Sequence, residues 1–82
     1  MARDELTRRF GELVKRLRLE EDLSQERLGE MSGLHRNYIG AIERAERTPS
    51  IVSAHRLAKA LGTTLSSLFL ELERNSHERN DC

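Results

Sequence analysis

The sequence predicts an all-α protein that folds as one small domain of five helices. Apolar residues recur at intervals of three and four over most of the chain, the period of a helix that buries one face. These stretches are interrupted at Gly33, Pro49 and Gly62, residues typical of helix ends and loops. No stretch alternates apolar and polar residues as a half-buried strand would. A chain of 82 residues is one domain at most.

The first predicted helix covers about residues 4 to 20. Spacings of four, three, one and three residues between its apolar positions place them on one helix face. We expect this face to point into the core. It consists of Leu6, Phe10, Leu13, Val14 and Leu17.

Two short helices follow with only three residues between them. The second helix is predicted at about residues 25 to 31, with Ser24 as its N-cap. Gly33 suits the left-handed backbone that follows a helix end, and the third helix is predicted at about residues 35 to 44. Helices joined by so tight a turn must cross steeply, and Gly29 is small where they would approach most closely. The residues expected to point inward are Leu28, Met31, Tyr38, Ile39 and Ile42.

Two more helices and a tail are predicted for the rest of the chain. Pro49 places about residues 46 to 49 in a loop, Ser50 caps the fourth helix and Gly62 ends it. Its inward residues are predicted to be Ile51, Ala54, Leu57, Ala58 and Leu61. The fifth helix carries an apolar stripe of Leu65, Leu68, Phe69 and Leu72. The domain is predicted to span about residues 1 to 73, and residues 74 to 82 to form a disordered tail, because they contain no apolar residue before the final cysteine.

Composition argues against an enzyme, a secreted protein or a membrane protein. The histidines at positions 35, 55 and 77 share no metal-ligand spacing, and no phosphate-binding loop or nucleophile motif occurs, so we expect no catalytic site, metal or cofactor. Cys82 is the only cysteine and no signal peptide is evident, which favours a reducing cytoplasm. The 14 basic and 14 acidic residues cancel. For a nucleic-acid-binding protein, a zero net charge lowers the affinity for any sequence but does not forbid specific binding.

The pattern around the two short helices carries the clearest functional signal. It reads Ser24-Gln25, Leu28, Gly33-Leu34, Tyr38-Ile39 and Ile42-Glu43-Arg44, followed by Arg47-Thr48-Pro49-Ser50, Leu57-Ala58-Lys59-Ala60-Leu61 and Leu68-Phe69. In this arrangement the chain resembles the lambda-repressor-like (Cro/XRE) helix-turn-helix family over roughly residues 6 to 72. The stretch from His35 to Arg44 is most similar to the controller proteins of bacterial restriction-modification systems.

The resemblance implies a five-helix DNA-binding domain whose second and third helices form the helix-turn-helix. It also implies a homodimer on an operator with two-fold-related half-sites, and double-stranded DNA, a second copy of the chain and RNA polymerase as partners. Gln25 falls at a phosphate-contacting and helix-anchoring position, and Arg36, Asn37 and Ala41 fall at base-facing positions. The departures from the family are Gly29 for alanine, Gly40 for serine, Asn37 for threonine and Ala45 for glycine. A left-handed Ala45 would cost roughly 1 kcal/mol.

Residue chemistry refines these expectations. Arg36 can bond guanine O6 and N7, Asn37 can pair with adenine N6 and N7, and His35 could contact a base or a phosphate. The candidate phosphate ligands are Gln25, Tyr38, Arg44 and Arg47. Tyr38 could instead serve core packing alone, and Arg44 could instead pair with Glu43 or Glu46. Glu43 is predicted to be structural, because phosphates would repel it.

The sequence leaves two questions open. The stripe of Leu65, Leu68, Phe69 and Leu72 has more apolar surface than one small core absorbs, so we expect a dimer interface there, the alternative being that the whole stripe packs within one chain. The predicted function is transcriptional regulation by a controller protein. A phage-type repressor, or an antitoxin or adaptor acting through a protein partner, remains the alternative.

Overall fold

The computed structural model of the protein describes residues 4–79, and the side chains of residues 4–74. Over these residues the chain forms five helices and no strand, which confirms the all-α prediction. The bounds predicted for the first three helices are correct to within one residue. The helices are α1 (Glu5–Glu20), α2 (Gln25–Ser32), α3 (Arg36–Glu43), α4 (Ile51–Ala60) and α5 (Leu65–Arg79). Among the described residues, no helix has both the length and the apolar character needed to cross a bilayer.

Each helix begins at a side chain that accepts a hydrogen bond from a backbone N–H of the first turn. Ser24 accepts from the N–H of Arg27 at 2.9 Å, and Ser50 accepts from the N–H of Ser53 at 3.0 Å, so both predicted N-caps are confirmed. The other three caps were not identified from the sequence. They are Asp4, His35 and Thr64.

Four turns use left-handed backbone after a helix, the first at Asp22 after α1 with φ of 60°. Gly33 follows α2 with φ of 77°, the conformation predicted for it, and Gly62, predicted to end α4, follows that helix with φ of 78°. Ala45 follows α3 with φ of 61°, so this non-glycine residue adopts the left-handed backbone whose cost was considered above. The Ala45 N–H donates to the carbonyl of Ile42 at 3.0 Å, and the alanine methyl group is buried.

All five helices contribute to one core. The largest fully buried side chains at its centre are Val14 of α1, Leu28 of α2, Ile39 and Ile42 of α3, Leu57 of α4 and Leu68 of α5. Two glycines allow neighbouring backbones to touch. A Cβ on Gly11 would collide with the carbonyl oxygen of Ile42, and one on Gly29 would lie 2.5 Å from the carbonyl oxygen of Leu34. The close approach predicted at Gly29 is therefore confirmed, and α1 approaches α3 in the same way.

Three residues that the sequence placed in the core are exposed instead. Leu6, Met31 and Ile51 are 52%, 44% and 72% exposed. Leu6 and Ile51 lie in the first turns of α1 and α4, where they line an open groove rather than the closed core. After Leu28 the inward position on α2 is taken by Ser32, whose hydroxyl donates to the Leu28 carbonyl at 2.7 Å, so Met31 points outward.

The fifth helix continues beyond the predicted domain end at residue 73. It runs to Arg79, because residues 74–79 contain no glycine or proline that would end it. The predicted tail of residues 74–82 therefore overlaps a helix over most of its length. The last three residues, with Cys82, lie outside the described residues.

Candidate DNA-binding surface

Helices α2 and α3 form a compact pair whose connection is the three-residue turn at residues 33–35. Leu28 of α2 and both Ile39 and Ile42 of α3 are fully buried, so the pair shares one apolar interface with the rest of the core. This burial fixes which side of α3 faces outward. The outward side begins with Arg36 and Asn37, both exposed.

A buried ion pair anchors the C-terminal end of α3 to α1. Arg18 donates from Nε to Oε2 of Glu43 at 2.7 Å and from Nη2 to Oε1 at 3.1 Å, with side chains 9% and 3% exposed. Arg18 also donates to the carbonyl of Leu23 at 2.7 Å, which ties down the loop before α2. The structural role predicted for Glu43 is confirmed. Its partner Arg18 lies 25 residues away in the chain and was not identified from the sequence.

Gln25 joins the same anchor from the first residue of α2. Its Nε2 donates to Oε1 of Glu43 at 3.0 Å. A Cβ on Gly40 would lie 3.3 Å from Oε1 of Gln25, so the Gln25 amide lies directly against α3. The helix-anchoring half of the expectation for Gln25 is therefore visible in the structure, and its phosphate contact stays a prediction.

The N-terminal end of α3 carries the predicted base-reading residues. Arg36 is 59% exposed, with Nη1 lying 3.5 Å from Oε1 of Glu26 in the first turn of α2. Asn37 is exposed, and Ala41 is half-buried one turn further on. Asn37 and Ala41 lie one above the other because they are four residues apart, and Arg36 precedes Asn37 in the same exposed first turn. The structure therefore brings the predicted base-facing residues together.

His35 is the N-cap of α3, a role that the sequence analysis missed. Its Nδ1 accepts a hydrogen bond from the N–H of Asn37 at 3.0 Å. An amide N–H can only donate, so Nδ1 carries no proton and the neutral ring carries its proton on Nε2. The exposed His35 ring therefore offers an Nε2–H donor at the entrance of the candidate reading helix.

Tyr38 links α3 to α4 and to the loop between them. The half-buried ring packs against the core, and its hydroxyl donates to Oγ of Ser53 at 3.3 Å. The guanidinium carbon of Arg47 lies 5.2 Å from the ring centroid, within the range of a cation–π contact. Tyr38 thus positions Arg47, and Ser53 is a supporting residue that the sequence analysis did not find.

Arg44 is paired within the loop that follows α3. It donates from Nε and Nη2 to the two carboxylate oxygens of Glu46 at 3.0 and 3.1 Å. These hydrogen bonds, together with the charge of Glu46, raise the pKa of Arg44 above its ordinary value. Of the roles left open for Arg44, pairing with Glu46 is the one the structure contains.

The predicted dimer interface needs correction. Leu68 and Leu72 are 2% and 5% exposed and pack into the core of a single chain, so they are not available to a partner. Leu65 is half-buried, and only Phe69 of the stripe is exposed. Among the described residues, the exposed large apolar side chains are Leu6, Leu19, Met31, Ile51, Val52, Phe69 and Leu70. Three of these, Leu6, Ile51 and Phe69, line an apolar groove of about 160 Å³ between α1, α4 and α5.

Comparison with known proteins agrees with this geometry. The sequence profile of the helix-turn-helix family matches residues 14–68. The chain is 49% identical over 59 residues to the control protein C.SmaI of Serratia marcescens, covering 72% of this chain and 70% of that protein. It is 42% identical over 67 residues to the control protein C.MunI of Mycoplasma sp, covering 80% of this chain and 90% of that protein.

Solved structures include close matches of the same kind. The restriction-modification controller protein C.AhdI from Aeromonas hydrophila superposes with a TM-score of 0.74 at 42% identity, covering 79% of this chain and 97% of that one. The controller protein C.Esp1396I, solved as a tetramer with its natural 35 base-pair operator, superposes with a TM-score of 0.80 at 32% identity, covering 87% and 93%. A match over 87% of the chain extends well beyond the α2–α3 pair.

Proposed function

The chain belongs to the Cro/XRE-type helix-turn-helix family, and we propose that it is a sequence-specific, DNA-binding transcriptional regulator of the restriction-modification controller kind. One observation carries this proposal. Helix α3 presents Arg36 and Asn37 in an exposed first turn, while its other face is buried and its far end is anchored through Glu43. A rigid helix with planar hydrogen-bonding side chains at its N-terminal end is suited to the major groove. The named relatives favour a controller over a phage-type repressor.

Four residues are proposed to contact base edges. Arg36 donates to O6 and N7 of a guanine, and Asn37 pairs with an adenine. The capped ring of His35 donates from Nε2 to an acceptor at the edge of the groove. Ala41, half-buried one turn beyond Asn37, offers its methyl group to a thymine methyl.

The residues around this reading face are proposed to hold the DNA backbone. Arg44 and Arg47 are exposed in the loop after α3, and Gln25 lies at the start of α2. Helix starts and arginines are the usual phosphate ligands. Tyr38 would contact a phosphate only by moving its single hydroxyl proton away from Ser53, because phosphate oxygens accept hydrogen bonds and do not donate them.

A homodimer is part of the proposal, with a revised interface. Exposed Leu6, Ile51 and Phe69 around the groove, with Val52 and Leu70 nearby in sequence, form an apolar surface that a second copy would cover. The two reading helices would then enter successive major grooves about 34 to 36 Å apart and give a pseudo-palindromic footprint. The C.Esp1396I complex is itself an assembly of several chains on one operator.

The proposed role implies a cellular location and a further protein partner. DNA in a bacterial cell lies in the cytoplasm, where this regulator would act without cofactor or enzymatic activity. A regulator bound beside a promoter meets RNA polymerase, and transcription in vitro from a promoter carrying the selected operator would measure whether that contact activates or represses.

Selection of binding sites from random duplex DNA tests the proposed function directly. We expect a pseudo-palindromic site, bound more tightly than scrambled duplex, with an affinity that falls as salt rises. Arg36→Ala should flatten the preference at one base pair in each half-site, whereas Arg47→Ala should weaken all sequences equally and reduce the salt slope by roughly one. A folded protein with no salt-dependent duplex binding would instead favour the adaptor or antitoxin alternative.

A further inference from the structure

One ion pair connects the two helices of the candidate reading surface at their N-terminal ends. Glu26 lies in the first turn of α2 and Arg36 in the first turn of α3, with Oε1 of Glu26 3.5 Å from Nη1 of Arg36. Both side chains are exposed, Glu26 by 64% and Arg36 by 59%. Glu26 therefore places a negative charge on the surface that the DNA would approach.

A carboxylate in this place weakens every contact with a phosphate backbone. The neighbouring acidic residue on the same helix, Glu30, is paired differently, with Oε1 lying 3.0 Å from Nη1 of Arg27. Glu30 and Glu26 are both about three-fifths exposed and lie on one helix. Only Glu26 contacts a residue proposed to read a base, so the two carboxylates should differ in what they do to sequence preference.

The chemistry of the guanidinium explains how Glu26 could help specific binding. Arg36 has five N–H donors in a rigid planar fork. A carboxylate at Nη1 restricts the rotation of a long side chain and leaves the remaining donors to meet O6 and N7 of one guanine. When DNA covers the pair, water leaves and the contact between the two charges strengthens. At a wrong base pair the same carboxylate stays beside an unsatisfied arginine and repels the phosphates.

We propose that Glu26 is a specificity-determining residue, which positions the Arg36 guanidinium for one base pair and disfavours its use on phosphates. This proposal rests on the proposed function, since it requires α3 to read DNA. Glu26 would thereby lower affinity for DNA in general and raise discrimination at one position of each half-site.

The test compares Glu26→Gln with the matched control Glu30→Gln. Each variant removes one negative charge from α2, so both should bind scrambled duplex more tightly. Only Glu26→Gln should lose discrimination between the selected operator and a duplex altered at the base pair read by Arg36, by roughly three- to tenfold. Other positions of the operator should be discriminated as before. Urea unfolding of each variant checks that the fold is unchanged.

Repeating the comparison in an Arg36→Ala background tests whether the effect of Glu26 on discrimination depends on Arg36. There, Glu26→Gln should cause no further loss of discrimination. Equal discrimination by the Glu26→Gln and Glu30→Gln proteins would overturn the proposal, and so would an undiminished Glu26→Gln effect in the Arg36→Ala background. Failure of the unaltered protein to distinguish operator from scrambled duplex is a separate result, which would overturn the proposed function and this inference with it.

Discussion

The buried ion pair of Arg18 and Glu43, which anchors the candidate reading helix α3, provides the sharpest test of how the fold positions its site. Glu43→Ala removes a carboxylate whose side chain is 3% exposed and leaves Arg18, 9% exposed, without its main partner. Breaking a buried pair from one side costs about 3 to 5 kcal/mol, because a charge stays buried without compensation. A domain of this size has a free energy of unfolding of roughly 5 to 10 kcal/mol, so the loss would be a large part of the total.

A surface pair of the same residue types is the matched control. Glu30 and Arg27 lie 3.0 Å apart, but their side chains are 59% and 60% exposed. Glu30→Ala should therefore change the free energy of unfolding by at most about 1 kcal/mol. Urea unfolding followed by circular dichroism measures both variants under one set of conditions.

The double variant Arg18→Met/Glu43→Leu separates charge from packing. Replacing both members of a buried pair by apolar residues of similar size can be nearly neutral, because no unpaired charge remains. We expect it to recover most of the stability lost by Glu43→Ala. Equal losses for Glu43→Ala and Glu30→Ala, both below about 1 kcal/mol, would refute the claim that burial makes the Arg18 pair an anchor.

Three further predictions follow from local geometry. Gly29→Ala should destabilise the fold by roughly 1 to 3 kcal/mol, because its Cβ would meet a backbone oxygen 2.5 Å away. Gly40→Ala should be neutral or stabilising by up to about 1 kcal/mol, because only the ends of flexible side chains lie nearby. Urea unfolding of the two variants compares these effects. His35→Ala should lose about 1 kcal/mol with the helix cap, and His35→Asn should restore most of it in thermal unfolding. Phe69→Glu should make the protein monomeric in sedimentation at micromolar concentration. The control Leu19→Glu, at an exposed leucine outside the revised interface, should leave a dimer. A dimeric Phe69→Glu protein would contradict the revised interface.

Local signals predicted the helices well. Ser24 and Ser50 cap helices, and Gly33 and Gly62 end them, through contacts made within a few residues of the chain. Such contacts are written in short stretches of sequence, so periodicity and capping chemistry were sufficient to find the helices and most of the buried face.

Core membership was harder to predict where a helix meets the edge of the domain. Ile51 continues the apolar face of α4, yet it is 72% exposed because none of the described elements covers the first turn of that helix. Leu68 and Leu72 show the opposite error, since the core absorbs both and leaves Phe69 at the surface. Periodicity defines a face, whereas how much of that face is covered depends on the lengths and placement of neighbouring helices.

In the candidate site, too, local features were predictable and contacts between distant parts of the chain were not. Exposure of Arg36 and Asn37 was predictable, because the opposite face of α3 is fixed by its isoleucines. The partners that hold the site were not predictable, since the hydrogen bond from Tyr38 to Ser53 spans 15 residues and the contacts of Arg18 with Glu43 span 25. Contacts of that separation depend on how the helices cross.

Pairing of the arginines on the candidate DNA-binding surface explains how a chain of zero net charge is suited to specific binding. Arg36 lies beside Glu26, Arg44 is bonded by Glu46, and the Arg47 guanidinium lies against an aromatic ring. A phosphate offered to Arg36 or Arg44 must therefore replace or compete with a carboxylate, so the gain from non-specific contact is small. In the proposed complex a guanine edge would differ, because it would use the N–H donors of Arg36 that Glu26 does not occupy and would add hydrogen bonds without breaking the ion pair. Cancelling charges would thus lower non-specific binding while the proposed base contact is retained, which favours discrimination over raw affinity.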